Sequence, residues 1–338
     1  MNKIIVTGGA GFIGSHTVAE LVAEGYIPVI IDNFSNSDER VIAGLATITG
    51  TEPVLYRADS CDVDALRKIF HDEKPAGVIH FAAYKAVHES VADPLRYYRN
   101  NLLSLVALME VMNETGVRDL VFSSSCTVYG EPDVNPVTEQ SPFKQAVSPY
   151  GYSKQVCEQI IRDAHRASNH LSASILRYFN PVGAHPTGLI GELPFGTPNN
   201  LVPYITQTAA GIRKQLTVFG NDYNTPDGTC IRDYIHVVDL AKAHVKALQW
   251  LEKNAGACGY FNIGQGRGDS VLDVIKAFEK CTGLSLNYSI GPRRPGDVER
   301  VWADVSKAGN VLGWSTQLTL QDAMRDAWNW QLQLSNMT

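Results

Sequence analysis

The sequence predicts an α/β protein built on a doubly wound parallel sheet, followed by a smaller mixed α/β domain. Three observations carry that prediction. Short apolar runs alternate with helical patterns from residue 3 to about 180. The first run ends in the glycine cluster GGAGFIG at 8–14. Beyond about 181 the alternation fades, while Pro, Gly and Asn become frequent. The expected division is 1–180 for the first domain and 181–233 with 265–338 for the second. A return segment at about 234–264 packs back on the first domain.

Residues 3–7 (KIIVT) read as a short buried strand, and an amphipathic helix follows the glycines through about Glu24. A glycine turn between a strand and a helix is the setting of a dinucleotide site. Gly8, Gly9 and Gly11 let the backbone turn tightly and approach a pyrophosphate, and Gly14 lets the helix pack on the strand. The helix start, with Phe12 and Ile13, faces the phosphates with its amides and partial positive charge. Gly9/Gly11/Gly14 and Gly8/Gly11/Gly14 both fit the spacing.

The next strand, IPVIIDNFS, carries Asp32 at its end. An acid there holds the adenosine ribose hydroxyls and repels a 2′-phosphate, which favours NAD over NADP. A third strand, PVLYRAD, ends at Asp59-Ser60, and a fourth, GVIHFAA, at Phe81-Ala82-Ala83. Helical patterns cover about 62–74 and 94–115. A fifth strand, DLVFSSS (119–125), ends on three serines, and a sixth, SASILRYFN, covers 172–180. In a parallel sheet the carboxyl ends of the strands line one crevice, where ligands bind.

Between the last two strands lies SPYGYSK, with Tyr150 and Lys154 four residues apart and Pro149 suited to a first helical turn. Residues at i and i+4 share a helix face, so phenol and ammonium project together. A free tyrosine titrates near ~10, and lowering it to about 7 takes roughly 4 kcal/mol. Lys154 plus a cationic cofactor ring is the expected source. A phenolate poised near neutrality is a general base for an alcohol or sugar hydroxyl.

The second half is marked by arginines in glycine- and proline-rich loops, Arg232 in CIRDYIHV and Arg293-Arg294 in GPRRPGD. Two separated guanidinium groups suit the two sides of a diphosphate. The net charge of -6 argues against a nucleic-acid partner. Six scattered cysteines and nine histidines show no metal-ligand spacing, so no metal is expected, and free thiols fit a reducing cytosol. The N-terminal run meets glycines too early for a signal peptide, and no segment approaches a membrane span. A soluble cytoplasmic protein, frayed past about Leu334, is the expectation.

Together, TGGAGFIGSH, SSSCTVYG, SPYGYSK and RYFNPVGAHP resemble the extended short-chain dehydrogenase/reductases, and more closely their branch that epimerises UDP-galactose and UDP-glucose at C4. The likeness runs on through PNNLVPYI, FGNDYNTPDGTCIRDYIHV and RRPGDVERVWAD, essentially the whole chain. It implies cofactor contacts at Asp32, Asn33, Asp59, Ser60, Phe81, Ala82, Ala83, Lys85 and Asn100, with Tyr178 beside the nicotinamide. It implies that Ser125 binds the sugar's 4-hydroxyl, that Tyr150 is the base, and that Lys154 tunes it and binds the nicotinamide ribose. Arg232 and Arg294 would hold the UDP phosphates, with Asn180, Asn200 and Leu201 nearby, Phe219 bordering the uracil and Asp297 its ribose. NAD would stay bound between turnovers, and the protein would be a homodimer.

Neighbouring activities differ by a few atoms. Nucleotide-sugar 4,6-dehydratases carry an Asp-Glu pair where this chain has Cys126 and Thr127, and sugar decarboxylases place a Glu at the second position. A dehydrogenase that releases NADH and a non-catalytic NAD-binding protein are the remaining alternatives, the latter at odds with the Tyr/Lys pair. In the family the residue before the tryptophan borders the sugar's C2 substituent, and a tyrosine there excludes N-acetylated sugars. Val301 implies that UDP-N-acetylhexosamines are accepted as well.

Overall fold

The computed structural model of the chain describes residues 1–168, 170–294 and 296–337. The first half alternates β1 (Lys3–Thr7), α1 (Phe12–Ala23), β2 (Ile27–Asp32), α2 (Arg40–Thr49), β3 (Val54–Arg57), α3 (Val63–Glu73) and β4 (Gly77–His80). Then come α4 (Val87–Ala92), α5 (Pro94–Thr115), β5 (Asp119–Ser125), a 3-10 turn at Cys126–Tyr129, α6 (Pro149–Ala167) and β6 (Ser172–Tyr178). The second half holds β7 (Asn180–Val182), α7 (Leu201–Ala209), β8 (Leu216–Phe219), β9 (Ile231–Arg232), β10 (Tyr234–His236), α8 (Val237–Lys253) and β11 (Cys258–Ile263). It closes with β12 (Asp269–Ser270), α9 (Val271–Thr282), β13 (Tyr288–Gly291), β14 (Arg300–Val301) and α10 (Leu320–Met337).

Seven strands pair in parallel in the order β3-β2-β1-β4-β5-β6-β11. The direction of winding reverses between β1 and β4, so the glycine turn after β1 opens at the sheet's switch point. Alternation along each strand feeds two cores. Ile4, Val6, Ile30, Ile79 and Val121 join one apolar cluster with Val18, Leu21, Val41, Leu45, Leu240 and Leu248 of α1, α2 and α8. Ile5, Val29, Ile31, Val78, Leu120 and Phe122 join the other with Leu66, Leu105, Leu108 and Ile161 of α3, α5 and α6. Burying each such side chain contributes about 1.5–3 kcal/mol, and the alternation lets both faces of the sheet contribute.

The helix ends follow local chemistry. Asp93 and Pro94 open α5, and Gly116 closes it in the left-handed region. Ser148 caps α6, its hydroxyl accepting from the Gly151 amide at 3.1 Å, with Pro149 in the first turn. Both starts fall where the sequence places them.

Around the remaining elements a third cluster forms from Val202, Ile205, Val218, Val274, Phe278 and Met324. The expected return segment is β10, α8 and β11, and β11 is the sheet's seventh strand beside β6. The last helix, α10, runs to Met337, and Met324, Ala327 and Trp330 bury its inner face.

Candidate active site

At the glycine turn, Gly8 takes φ +68° and donates its amide to the Ile31 carbonyl at 2.8 Å. A Cβ on Gly14 would lie 2.2 Å from the Gly8 carbonyl oxygen, so only glycine lets α1 pack there. Gly11 precedes α1 with no side-chain cap, and a Cβ on it would meet only the Gly8 oxygen, at 3.2 Å. A Cβ on Gly9 would instead press on Val6 and Ile30, on the core side. The register Gly8/Gly11/Gly14 therefore matches the three structural demands of the motif. The result is an uncapped helix start over a side-chain-free cradle, which fits a dinucleotide pyrophosphate.

Asp32 ends β2 nearly buried. Its carboxylate accepts from the Ala10 amide (3.0 Å), the Phe34 amide (2.9 Å) and the Ser37 hydroxyl (2.8 Å). A carboxylate has about four lone-pair sites, so capacity remains for a ribose hydroxyl. Asn33 donates to Asp59 at 3.1 Å, and Ser60 is buried beside them. The Phe81 amide donates to the Thr7 carbonyl at 3.0 Å, and Ala82 and Ala83 follow, half-buried. Asn100 donates to Asn101 at 3.0 Å. The Lys85 ammonium lies 5.8 Å from the Phe12 ring centroid, at the start of α1.

Tyr150 opens α6 and faces the end of β5, where the parallel register sets Ser125 beside Tyr178. All four reactive side chains are buried: Ser125, Tyr150, Lys154 and Tyr178. The Lys154 ammonium donates to the Ser123 carbonyl at 2.6 Å and lies 4.8 Å above the Phe122 ring. The Ser125 hydroxyl accepts from the Thr127 hydroxyl at 3.0 Å and the Thr127 amide at 3.2 Å. Ser123 is hydrogen-bonded to the Tyr178 phenol.

The electrostatics of the protein without cofactor are set by burial. Burial pushes the Tyr150 phenol up to about 12, with only a hydrogen bond from Ser125 pulling it down and the Cys126 and Cys157 thiols raising it further. Lys154 is pushed down to about 8 by burial, with Cys157 and Glu158 acting upward. The ammonium donates to the Ser123 carbonyl, so in the protein without cofactor Lys154 by itself leaves the phenol high, and the expected pair of charges is incomplete without the cationic ring.

Glu158 also shapes this corner and was not singled out from the sequence, and of the three strand-end serines and Thr127 only Ser125 was given a role. Ser124 points to the other face of β5 and donates to Glu158 at 2.5 Å. The strand's two-residue period was the signal that separates it from Ser123 and Ser125.

On the substrate side, the two arginines converge on one carboxylate. Arg294 binds Asp297 through Nη2 (2.7 Å) and Nε (3.1 Å), and Arg232 Nη2 lies 3.9 Å from the same Asp297. Arg232 and Arg294 are thus neighbours, with Asp297 between them. The Arg294 guanidinium lies 5.7 Å from the half-exposed Phe219 ring. Asn200 precedes α7, whose first residue is Leu201, and Asn180 donates its amide to the Asp233 carbonyl at 3.0 Å. Val301 pairs with Arg232 across β14 and β9 and is buried with Val128, Tyr129, Val137, Phe179 and Ala303, Cys126 packing alongside. Among the described residues, no group of three or more His, Cys, Asp or Glu is arranged to hold a metal, and no helix is long and apolar enough to cross a membrane.

The family model described as GDP-mannose 4,6 dehydratase matches residues 5–327. A UDP-glucose 4-epimerase of Bacillus subtilis (strain 168) is 52% identical over 328 residues, covering 97% of this chain and 96% of its own. The crystal structure of a UDP-glucose-4-epimerase from Stenotrophomonas maltophila with bound NAD and formylated UDP-arabinopyranose is 46% identical, covers 100% of both chains and superposes with a TM-score of 0.98. That of the Bifidobacterium longum enzyme in complex with NAD+ and UDP is also 46% identical, covers 99% of this chain and 100% of its own, and has a TM-score of 0.95. With Ser125, Tyr150 and Lys154 buried together at the end of β5 and identity at this level over nearly the full length, the chain belongs to the UDP-glucose 4-epimerase family of the extended short-chain dehydrogenase/reductases.

Proposed function

We propose that this protein reversibly epimerises UDP-galactose and UDP-glucose at C4 through a 4-keto sugar, using tightly bound NAD. The observation that carries the reading is the burial of Tyr150, Ser125 and Lys154 together at the end of β5. The residues of the cradle and Asp32 would hold NAD, which supplies a hydride acceptor at C4 and the same hydride back.

Tyr150 removes the proton of the sugar O4, directly or through Ser125, and later returns it. Thr127 donates to Ser125 and so leaves the Ser125 proton to point at the Tyr150 phenol, as a relay requires. Lys154, fixed on the Ser123 carbonyl, keeps a positive charge beside the phenolate as it forms and reaches the nicotinamide ribose. Arg232 and Arg294 exchange Asp297 for the diphosphate, with Asn180, Asn200 and Leu201 at its edge and Phe219 on the uracil. Binding energy then sits on UDP, and the hexose is free to turn over and present its other face.

The N-acetylhexosamine pair is part of the proposal, since Val301 leaves a small wall beside Arg232. Residues 1–180 with 234–264 would carry NAD, and 181–233 with 265–338 the UDP-sugar. The third apolar cluster, formed apart from the two sheet cores, supports that division. We assign the protein to the cytoplasm and to a homodimer; the exposed Leu95 and Leu103 of α5 and Tyr152 of α6 favour that helical face.

Purified protein mixed with UDP-galactose and no added nicotinamide should yield UDP-glucose. Dependence on free NAD+, with NADH accumulating, would make it a dehydrogenase instead.

A further inference from the structure

Glu192 lies outside every role given so far. It sits in the segment between β7 and α7 with its carboxylate largely buried. One oxygen, Oε1, accepts from Lys85 Nζ at 3.2 Å and from Asn200 Nδ2 at 2.6 Å. Lys85 comes from the loop after β4, at the start of α1, where the cofactor's phosphates fit. Asn200 precedes α7 and spends no side-chain bond on capping it. A single carboxylate oxygen therefore joins the two sides of the cleft.

The main chain at this point is fixed independently of the side chain. Trp330 Nε1 on α10 donates to the Glu192 carbonyl at 2.9 Å. Gly191 is pressed on the same indole, where a Cβ would come within 2.4 Å of Trp330 Cδ1. Ala184 bridges Gly191, and the His185 amide donates to the Ile190 carbonyl at 3.0 Å. The carboxylate is thus presented from a rigid hairpin, and its removal leaves the path of the chain intact.

We propose that Glu192 is a positioning residue that ties the lysine of the NAD site to the asparagine of the UDP site, so that occupancy of one site steadies the other. The inference rests on the cofactor and substrate roles proposed above for Lys85 and Asn200. Asn200 has two amide hydrogens; one is held by Glu192, which aims the other, together with the open start of α7, at the diphosphate. Lys85, neutralised by Glu192, is held at the cradle rather than released to solvent. When UDP orders Asn200, Glu192 is ordered with it, and Lys85 follows.

The test uses the NAD-loaded protein and reads UDP affinity by calorimetry and the rate of NAD release with and without saturating UDP. In the wild type, UDP slows NAD release. Glu192→Ala binds UDP about tenfold more weakly, the usual scale for a lost hydrogen bond to a charged group. It also loses NAD faster, and UDP no longer slows that loss. Glu192→Gln keeps an acceptor for Asn200 and so keeps UDP affinity, but without the ion pair to Lys85 its NAD release stays fast in the presence of UDP. A purely structural role would lower thermal stability in both variants and leave this split absent. Unchanged affinity and release in Glu192→Ala, with UDP bound normally by the wild type, overturns the tie alone. A wild-type protein that holds NAD and binds no UDP overturns the tie and the substrate assignment together.

Discussion

Tyr150 shows how far residue types carry and where environment takes over. The i, i+4 spacing with Lys154 was legible, and so was its place beside a serine-ended strand. The titration of the phenol was not, because it depends on burial and on where the ammonium points, and Lys154 points at the Ser123 carbonyl. Without cofactor Tyr150 should hold its proton to about pH 12, since burial dominates. With NAD+ bound, ultraviolet difference titration should show one phenol ionising at markedly lower pH, a signal lost in Tyr150→Phe. An unchanged titration on adding NAD+ would contradict the assignment. At Val301 the forecast concerns sugar choice. Val301→Tyr should abolish turnover of UDP-N-acetylhexosamines and spare UDP-galactose, at about 1–3 kcal/mol of stability, because the site is already packed by Val128, Tyr129 and Phe179. A wild type inactive on the N-acetyl sugars removes that part of the account.

Among the elements, α6 carries the most. One turn past Lys154, Glu158 is fully buried and takes Ser124 at 2.5 Å and Arg177 of β6 through a fork of 2.7 and 3.0 Å. Arg177 continues to the Tyr129 phenol at 3.0 Å, and that phenol donates to Asn262 of β11 at 2.6 Å. The network locks α6 to three strands of the sheet. Breaking a buried pair leaves an uncompensated charge, so Glu158→Gln should lose roughly 3–5 kcal/mol in urea unfolding. A loss under 1 kcal/mol would mean that Arg177 finds another partner. None of this was visible from α6 alone, because a lone Glu on a helix reads as a solvated charge. The six parallel strands and α1, α3, α5 and α6 were legible, each having a long apolar run or a cap. Short ladders such as β9, β12 and β14 were not, as two-residue strands are defined by partners distant in the chain.

For the whole molecule, the buried histidines set a pH limit. His16 and His80 are pushed down to about 3 and His244 to about 4 by burial. An unfolded histidine takes a proton near ~6.5, so between those values the unfolded chain binds more protons. Stability should therefore fall as pH drops below about 6.5, by up to roughly 1.4 kcal/mol per pH unit for each histidine. Asp233, pushed up to about 6 by burial, takes its proton first in the folded state and offsets part of this. Urea midpoints measured from pH 7.5 down to 5 should decline; a flat profile would mean that these rings reach water. The overall organisation, a dinucleotide sheet followed by a loop-rich half with arginines in its loops, was legible from the alternation and its loss. The convergence of Arg232 and Arg294 on Asp297 was not, since it depends on β9 and a distant loop meeting.

The central claim is an internal hydride loop, and the most direct test is nuclear magnetic resonance of UDP-galactose deuterated at C4, mixed with the purified protein and no added nicotinamide. The account predicts UDP-glucose with the deuterium retained at C4. Deuterium lost to solvent, or conversion that waits for free NAD+ and leaves NADH behind, would contradict it.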